Sequence, residues 1–153
     1  MKIRAATRED IPLLVEFNQK MARETEGKLL DPSILTEGVS AVFEDDSRGF
    51  YLVVEDTDSI VAGLMVTYEW SDWRNGWFWW IQSVYVISAM RGRQIYGQMY
   101  SKVKELAAAE GDVVGFRLYV ETKNENAQRV YEKVGMSRSH YQMYEEEIEK
   151  PGT

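Results

Sequence analysis

The sequence contains no cysteine and only one histidine, His140. Without cysteine the chain has no disulfide, no thiolate metal site and no cysteine nucleophile. One histidine is too few for a multi-histidine metal centre and argues against a serine–histidine triad. We therefore expect no bound metal, and the absence of cysteine favours a cytoplasmic protein.

Long apolar runs are also missing. None approaches the ~20 residues that a membrane-spanning helix needs, and residues 1–10 become charged too early for a secretory signal. The 25 acidic and 18 basic residues give a net charge of −7, which argues against a nucleic-acid partner and is compatible with a cationic substrate. We expect neither a membrane nor a nucleic acid as partner.

The length of 153 residues suggests one domain, residues 1–153, with a frayed tail from about residue 147. Hydrophobic periodicity predicts the element order β-α-α-β-β-β-α-β-α-β. The predicted strands are residues 2–6, 50–55, 60–68, 77–87, 113–120 and 136–146. The predicted helices are residues 7–27, 91–110 and 122–134, and a further helix that begins at Asp31-Pro32.

Local signals support these boundaries. Thr7 and Asp10 form an imperfect capping box for the first helix, and Thr122 with Glu125 predicts another for the last. The strand, helix and strand predicted over residues 77–120 imply a parallel crossover inside a mixed sheet. The pattern as a whole predicts a single α+β domain.

Residues 79–97 suggest an anion site. An apolar run ends in a turn, the basic loop Arg91-Gly92-Arg93 follows, and a helical pattern then begins. Loop N–H groups and a helix N-terminus both favour a bound anion. A solvated, capped turn explains the same residues, so the local pattern leaves both interpretations open.

Tryptophan is unusually dense between residues 70 and 80. Alternation along a strand sends Trp77 and Trp79 to one face of the sheet and Phe78 and Trp80 to the other. One face meets the helices, whereas the other needs a helix, a partner chain or a ligand to cover it. We take a homodimer as the hypothesis.

Two motifs carry a resemblance to a known family. The first is arginine or glutamine, two residues, glycine, one residue, and glycine or alanine, which corresponds to residues 91–96. The second is asparagine, two residues, alanine, three residues, tyrosine, three residues, glycine and an apolar residue. It is matched without gaps by Asn124, Ala127, Tyr131, Gly135 and Met136. In these motifs and in element order, the whole chain resembles the GNAT superfamily of acetyl-CoA-dependent N-acetyltransferases.

The resemblance implies an α+β fold (a mixed α/β sandwich). Its central sheet would be mixed, mostly antiparallel and six- to seven-stranded, with about four helices. A splayed parallel strand pair would hold acetyl-CoA. The implied cofactor-binding residues are Val84, Tyr85 and Val86 for the pantetheine arm, Arg91, Gly92, Arg93, Gln94, Ile95 and Tyr96 for the pyrophosphate, and Asn124. Tyr131 would protonate the departing thiolate, since a phenol of pKa about 10 can return a proton.

The sequence departs from the family pattern at three positions. Gln94 and Tyr96 stand where the loop motif has glycine, and we expect Gln94 to be helical, a geometry that does not require glycine. Gln82 stands where many relatives have a glutamate base, and an amide cannot act as a base. Other candidates for the base are Glu69, Asp72 and Glu121, or a chain of water molecules. These departures also fit a non-catalytic module that senses CoA or an amine.

The acceptor side has weaker signals. By resemblance, Glu24, Glu69, Trp70 and Gln82 are candidate substrate-binding residues. Carboxylates beside aromatic rings suit an ammonium group, which favours a small amine, a polyamine or a peptide amine as acceptor. Solvated acids and core tryptophans would explain the same residues.

Overall fold

The computed structural model describes residues 1–149. The chain divides into two compact units, Met1–Tyr119 and Val120–Thr153. The first contains β1 (Lys2–Ala5), α1 (Ile11–Glu26), α2 (Pro32–Glu44), β2 (Phe50–Asp56), β3 (Ser59–Ser71), β4 (Gly76–Val86), α3 (Ile95–Glu110) and β5 (Val113–Arg117). The second contains α4 (Glu125–Lys133).

The five strands form one sheet in the order β1-β2-β3-β4-β5. Neighbours are antiparallel except for β4 and β5, which are parallel and are joined through α3. The predicted α+β fold is therefore confirmed, with four helices and a mixed, mostly antiparallel sheet.

The expected six to seven strands were too many, because the described residues contain five. Residues 136–146 were predicted as a strand, but the structure assigns no strand to residues 136–149. Their apolar side chains are largely exposed, with Tyr144 and Ile148 each at 89%. An alternating sequence becomes a strand only when a neighbouring strand accepts its backbone hydrogen bonds. The predicted frayed tail lies partly outside the described residues.

The first helices pack on one face of the sheet. Leu14 of α1 and Val39 of α2 form a core cluster with Tyr51 and Val53 of β2, and Met65 of β3 packs against it. The predicted start of α2 at Asp31-Pro32 is confirmed, and Asp31 caps the helix, since its carboxylate accepts the N–H groups of residues 33 and 34.

The opposite face of the sheet carries α3. Trp79 lies beside Phe116 in the parallel register, and the Phe116 ring meets Tyr100 of α3 at 5.6 Å between centroids. Met99 and Val103 of α3 are fully buried. The sheet is thus covered by helices on both sides, and β4 lies within it between β3 and β5.

Asp10 links the start of α1 to the first strand. Its carboxylate accepts bonds from both terminal nitrogens of Arg4, at 2.8 and 3.1 Å, and from the Thr7 N–H at 2.8 Å. The last bond confirms that Thr7 and Asp10 cap the segment before α1. Asp10 is only 8% exposed, and the hydrogen bonds from Arg4 lower its pKa.

We expect Asp10→Asn to lower the free energy of unfolding at neutral pH by about 2 kcal/mol, because it weakens charge-assisted hydrogen bonds at a buried site. The folded-state pKa of Asp10 is lowered, so this stabilisation is present above the unfolded value near 3.9. It is lost as the pH falls through the lower, folded value. Urea unfolding across the acid range measures the difference.

The matched control is Glu37→Gln, which removes an exposed carboxylate from α2. It should change the free energy of unfolding by less than about 0.5 kcal/mol. A difference between wild type and Asp10→Asn that stays constant across the acid range would contradict the assignment.

Candidate functional site

The parallel strands β4 and β5 are paired over only part of the length of β4. Pairing with β5 extends from Trp77 to Trp80 only, while β4 continues to Val86. Beyond Trp80, the backbone groups on this side of β4 form no ladder with β5. The splayed parallel pair expected from the resemblance is therefore confirmed, and Val84, Tyr85 and Val86 lie on its open part.

A β-bulge reverses the side-chain alternation in the same stretch. Gly63 of β3 faces Tyr85, whereas Met65 faces Gln82, so β4 has one more residue here than β3. Ser83 takes up the extra length with φ +52°. As a result, the side chains of Gln82 and Tyr85 lie on the same face of the sheet, the face that packs α1 and α2.

The loop after β4 is not helical where helix was predicted. A 3-10 turn covers Ser88–Met90, residues 91–93 form a turn, and α3 begins at Ile95. The expectation that Gln94 is helical was wrong, because it has φ +60° and ψ +30°, the left-handed geometry that glycine adopts most readily. Gly92 is also left-handed, at φ +80°.

The residues after Gln94 anchor the loop. Ile95 and Tyr96 are buried at 3% and 6% exposure, and the Tyr96 ring stacks on Tyr100 at 6.0 Å. Tyr96, which replaces the second glycine of the motif, therefore packs in the core. The first N–H groups of α3 have no partner within the helix, so they are suited to binding an anion.

Three predicted residues from distant parts of the chain meet at the end of β4. The Glu24 carboxylate of α1 accepts a hydrogen bond from the Tyr85 hydroxyl at 3.2 Å and pairs with the Arg91 guanidinium at 2.8 Å. Arg91 also donates to the Val86 carbonyl at 2.9 Å and lies over the Tyr85 ring. Burial, the larger cause, and the hydrogen bond to Glu24 both raise the pKa of Tyr85.

A cleft of about 330 Å³ lies beside this cluster. It is lined by Lys20, Arg23, Glu24, Tyr85, Ile87 and Ser88. Sequence reasoning missed Lys20, Arg23, Ile87 and Ser88. The three-residue and four-residue spacing of Lys20, Arg23 and Glu24 places them on one helical face, and that spacing could have indicated the charged part of the lining.

A second polar cluster lies further along the same face of the sheet. One oxygen of Glu69 accepts hydrogen bonds from the Trp80 indole at 2.8 Å and from Arg117 at 2.9 Å. Gln82 donates its amide to the Thr67 hydroxyl at 2.5 Å. Glu69 and Gln82 thus lie on one face of the sheet.

The remaining aromatic residues divide between the two faces as alternation predicts. Trp70 packs on Trp77 at 5.0 Å, on the face opposite Glu69 and Gln82, so the structure does not bring Trp70 to that cluster. Phe78 is 7% exposed and lies beneath the Arg117 guanidinium at 3.6 Å. A cation of the same chain therefore covers this ring.

In the second unit, Asn124 begins α4. Its side-chain oxygen accepts the Ala127 N–H at 3.1 Å, so the predicted capping box of Thr122 and Glu125 was wrong. Thr122 and Glu125 are neighbours of Asn124 in the sequence, but Asn124 is the N-cap residue, whose side chain reaches the N–H of the third helical residue.

Tyr131 lies on the same helical face as Ala127, one turn later. Its side chain is half-buried, and burial raises the pKa of the phenol. The hydroxyl is therefore protonated throughout the neutral range, the form that can donate a proton.

Residues 1–149 contain no group of three or more histidine, aspartate or glutamate side chains arranged to hold a metal ion. Within the same described range, no helix is both long and apolar enough to cross a membrane.

Comparison with known proteins places this geometry in a family. The model of the acetyltransferase (GNAT) family matches residues 14–136. The chain belongs to the GNAT acetyltransferase family. Enzymes of this family use acetyl-CoA as the acetyl donor. Comparison with curated proteins gave no match.

Solved structures share the fold over nearly the whole chain. A possible acetyltransferase from Clostridium difficile 630 is 44% identical, with 97% of this chain and 98% of that chain covered and a TM-score of 0.90. A protein from Clostridium acetobutylicum, described as an acetyltransferase with acetyl-CoA, is 18% identical over 95% of each chain, with a TM-score of 0.78. Glucosamine-6-phosphate N-acetyltransferase from Arabidopsis thaliana is 21% identical over 95% of this chain and 97% of that one, with a TM-score of 0.72.

The left-handed geometry of Gln94 leads to a stability prediction. Gln94→Gly should leave the free energy of unfolding unchanged or raise it by up to about 1 kcal/mol, because relief of the left-handed strain offsets the added chain entropy. Urea unfolding measures the change.

Arg93→Gly is the matched control in the same exposed loop. Arg93 is not among the residues with positive φ, so glycine there should lower the free energy of unfolding by about 0.5 kcal/mol. Equal destabilisation by the two glycine variants would contradict the geometry of Gln94.

Proposed function

We propose that the protein transfers the acetyl group of acetyl-CoA to a primary amine, either a small amine or a peptide amine. Family membership supports acetyl transfer. The observation that carries the proposal is the open edge of β4 beyond Trp80, which leads directly into the loop and N-terminus of α3. An extended ligand arm can add to a strand edge, and an anion can bind the first N–H groups of a helix.

The proposed contacts follow these two features. Backbone groups of Val84, Tyr85 and Val86 would bind the pantetheine arm, and Asn124 would contact the same region. Backbone groups from Arg91 to Tyr96, including Gly92, Arg93, Gln94 and Ile95, would bind the pyrophosphate. The residues fit this role because no atom lies within 4 Å of a Cβ built on Gly92 and because Tyr96 is directed into the core.

Acetyl-CoA supplies an acetyl group activated as a thioester. The neutral amine attacks its carbonyl carbon directly within a ternary complex, so a C–N bond forms and the C–S bond breaks. N–H groups of β4 would polarise the carbonyl as negative charge develops on its oxygen. The attacking nitrogen becomes cationic on attack and loses one proton to water or to an unassigned carboxylate, since Gln82 cannot accept it, which leaves the neutral amide.

Tyr131 would return a proton to the departing sulfur. Its position in the Asn124-to-Met136 motif and the raised pKa of its phenol support this role, because the group is protonated when the thiolate leaves.

We expect Tyr131→Phe to lower kcat by about 100-fold, the lower end of what a positioned acid contributes. The KM for acetyl-CoA and the melting temperature should change little, because the ring is retained. Tyr144→Phe, at a largely exposed hydroxyl, is the control and should retain wild-type turnover. Unchanged kcat in Tyr131→Phe would remove the assignment.

Calorimetry with acetyl-CoA and thiol release against a panel of amines test the function itself. We expect saturable binding of acetyl-CoA and amine-dependent thiol release. No binding at millimolar acetyl-CoA would overturn the proposal. Binding without thiol release on any amine would favour the module that only senses CoA or an amine.

We also propose a homodimer in the cytoplasm, without nucleic acid as a partner. The exposed tryptophans at the β3–β4 turn support the dimer, with Trp73 at 88% and Trp70 at 49% exposure. The net charge of −7 disfavours nucleic acid. Light scattering at micromolar concentration should give twice the chain mass, and a monomer there would contradict the dimer.

A further inference from the structure

The cleft beside Glu24 has a defined chemical lining. One wall is the face of α1 that carries Lys20, Arg23 and Glu24, and the other comes from the end of β4 and the turn after it, with Tyr85 and Ser88. The volume of about 330 Å³ suits a small molecule. Tyr85 follows Val84 directly, so the cleft adjoins the strand edge proposed to bind the thioester arm.

The exposed charged side chains around this cleft leave an excess of one positive charge, although the chain carries a net charge of −7. Lys20 and Arg23 line it, and Arg91 reaches its edge by pairing with Glu24. The carboxylates here are Glu24 and Glu16, and Glu16 pairs with Lys20 at 2.9 Å. Three cations thus face two carboxylates.

Arg23 is the cation left for a ligand. Within residues 1–149 no carboxylate forms an ion pair with it. Arg23 lies in the last turn of α1, where a positive charge interacts favourably with the helix dipole. That interaction alone would explain a basic residue at this position. A test must therefore separate helix stability from ligand selectivity.

We propose that the acceptor is a primary amine that also carries an anionic group, a carboxylate or a phosphate, and that this cleft binds it. Glu24 and the Tyr85 hydroxyl bind the amine end, which loses its ammonium proton to water before it attacks, and Arg23 binds the anionic end with Lys20 beside it. A polyamine would place a second cation against Arg23 and Lys20, which opposes its binding. This assignment rests on the proposed acetyl transfer and narrows its substrate class.

The test compares amines that differ in the anionic group. Thiol release is measured with phosphoethanolamine against ethanolamine, with L-leucine against 3-methylbutylamine, and with spermidine. In at least one of the two pairs, kcat/KM should be 10-fold or more higher for the amine that carries the anionic group than for the amine that lacks it. Spermidine should be the poorest acceptor. A preference for spermidine, or for ethanolamine and 3-methylbutylamine over their anionic counterparts, would overturn the assignment.

Variants then locate the selectivity. Arg23→Gln should reduce the ratio between the preferred anionic amine and its partner by at least 5-fold, mainly through the KM of the anionic amine. Arg8→Gln, beyond the other end of α1, should keep the wild-type ratio. Melting temperatures are measured in parallel. An Arg23→Gln variant that loses melting temperature but keeps the ratio would show a helix-capping role only and would overturn the proposal.

Binding distinguishes failure of the inference from failure of the acetyl transfer. If no amine releases thiol, the proposed transfer fails, and calorimetry with phosphoethanolamine and L-leucine in the presence of CoA decides the inference. Binding of either probe that weakens in Arg23→Gln would support the cleft as a site for an anionic amine. Absence of binding of both would overturn it.

Discussion

The continuation of β4 beyond its parallel partner is the constraint on which the proposed site depends. β5 pairs as far as Trp80, and among residues 1–149 the ladder partner of residues 81–86 is β3 alone. Backbone polar groups in such a position need other partners, and in the proposed complex an extended ligand arm would supply them. The bulge at Ser83 then turns Gln82 and Tyr85 to one face. The same few residues therefore set both the proposed cofactor edge and the lining of the proposed acceptor cleft.

The pairing of Glu24 with Arg91 joins that edge to the helices. Glu24 is at the end of α1, whereas Arg91 belongs to the loop before α3, and both converge on Tyr85. Because Phe17 of α1 also packs on Tyr85, at 5.1 Å between ring centroids, the cleft is held by apolar as well as ionic contacts. A ligand that engages Arg91 would change the environment of Glu24, so the two proposed binding regions are linked through this ion pair.

Much of the fold was predictable because it is encoded locally. Periodicity located all four helices and five of the predicted strands, and Asp31 marked the start of α2 in advance. The failures involve longer-range constraints. Gln94 lies in a loop between the buried residues Met90 and Ile95, and no local sequence pattern indicates its left-handed geometry. Residues 136–146 were expected to be extended from their place in the element order, but the sequence does not show whether a neighbouring strand is available for pairing. Likewise, Glu24 and Arg91 are 67 residues apart, so a sequence pattern could suggest each residue but not their contact.

The most direct measurement of the central claim is backbone amide hydrogen exchange with and without acetyl-CoA, resolved by residue. If the open edge of β4 and the start of α3 bind the cofactor, exchange should slow at Val84–Val86 and across Gly92–Tyr96, while the Asn18–Lys20 amides in the middle of α1 should be unaffected. Saturation with acetyl-CoA that leaves exchange at Val84–Val86 and Gly92–Tyr96 unchanged would contradict the claim.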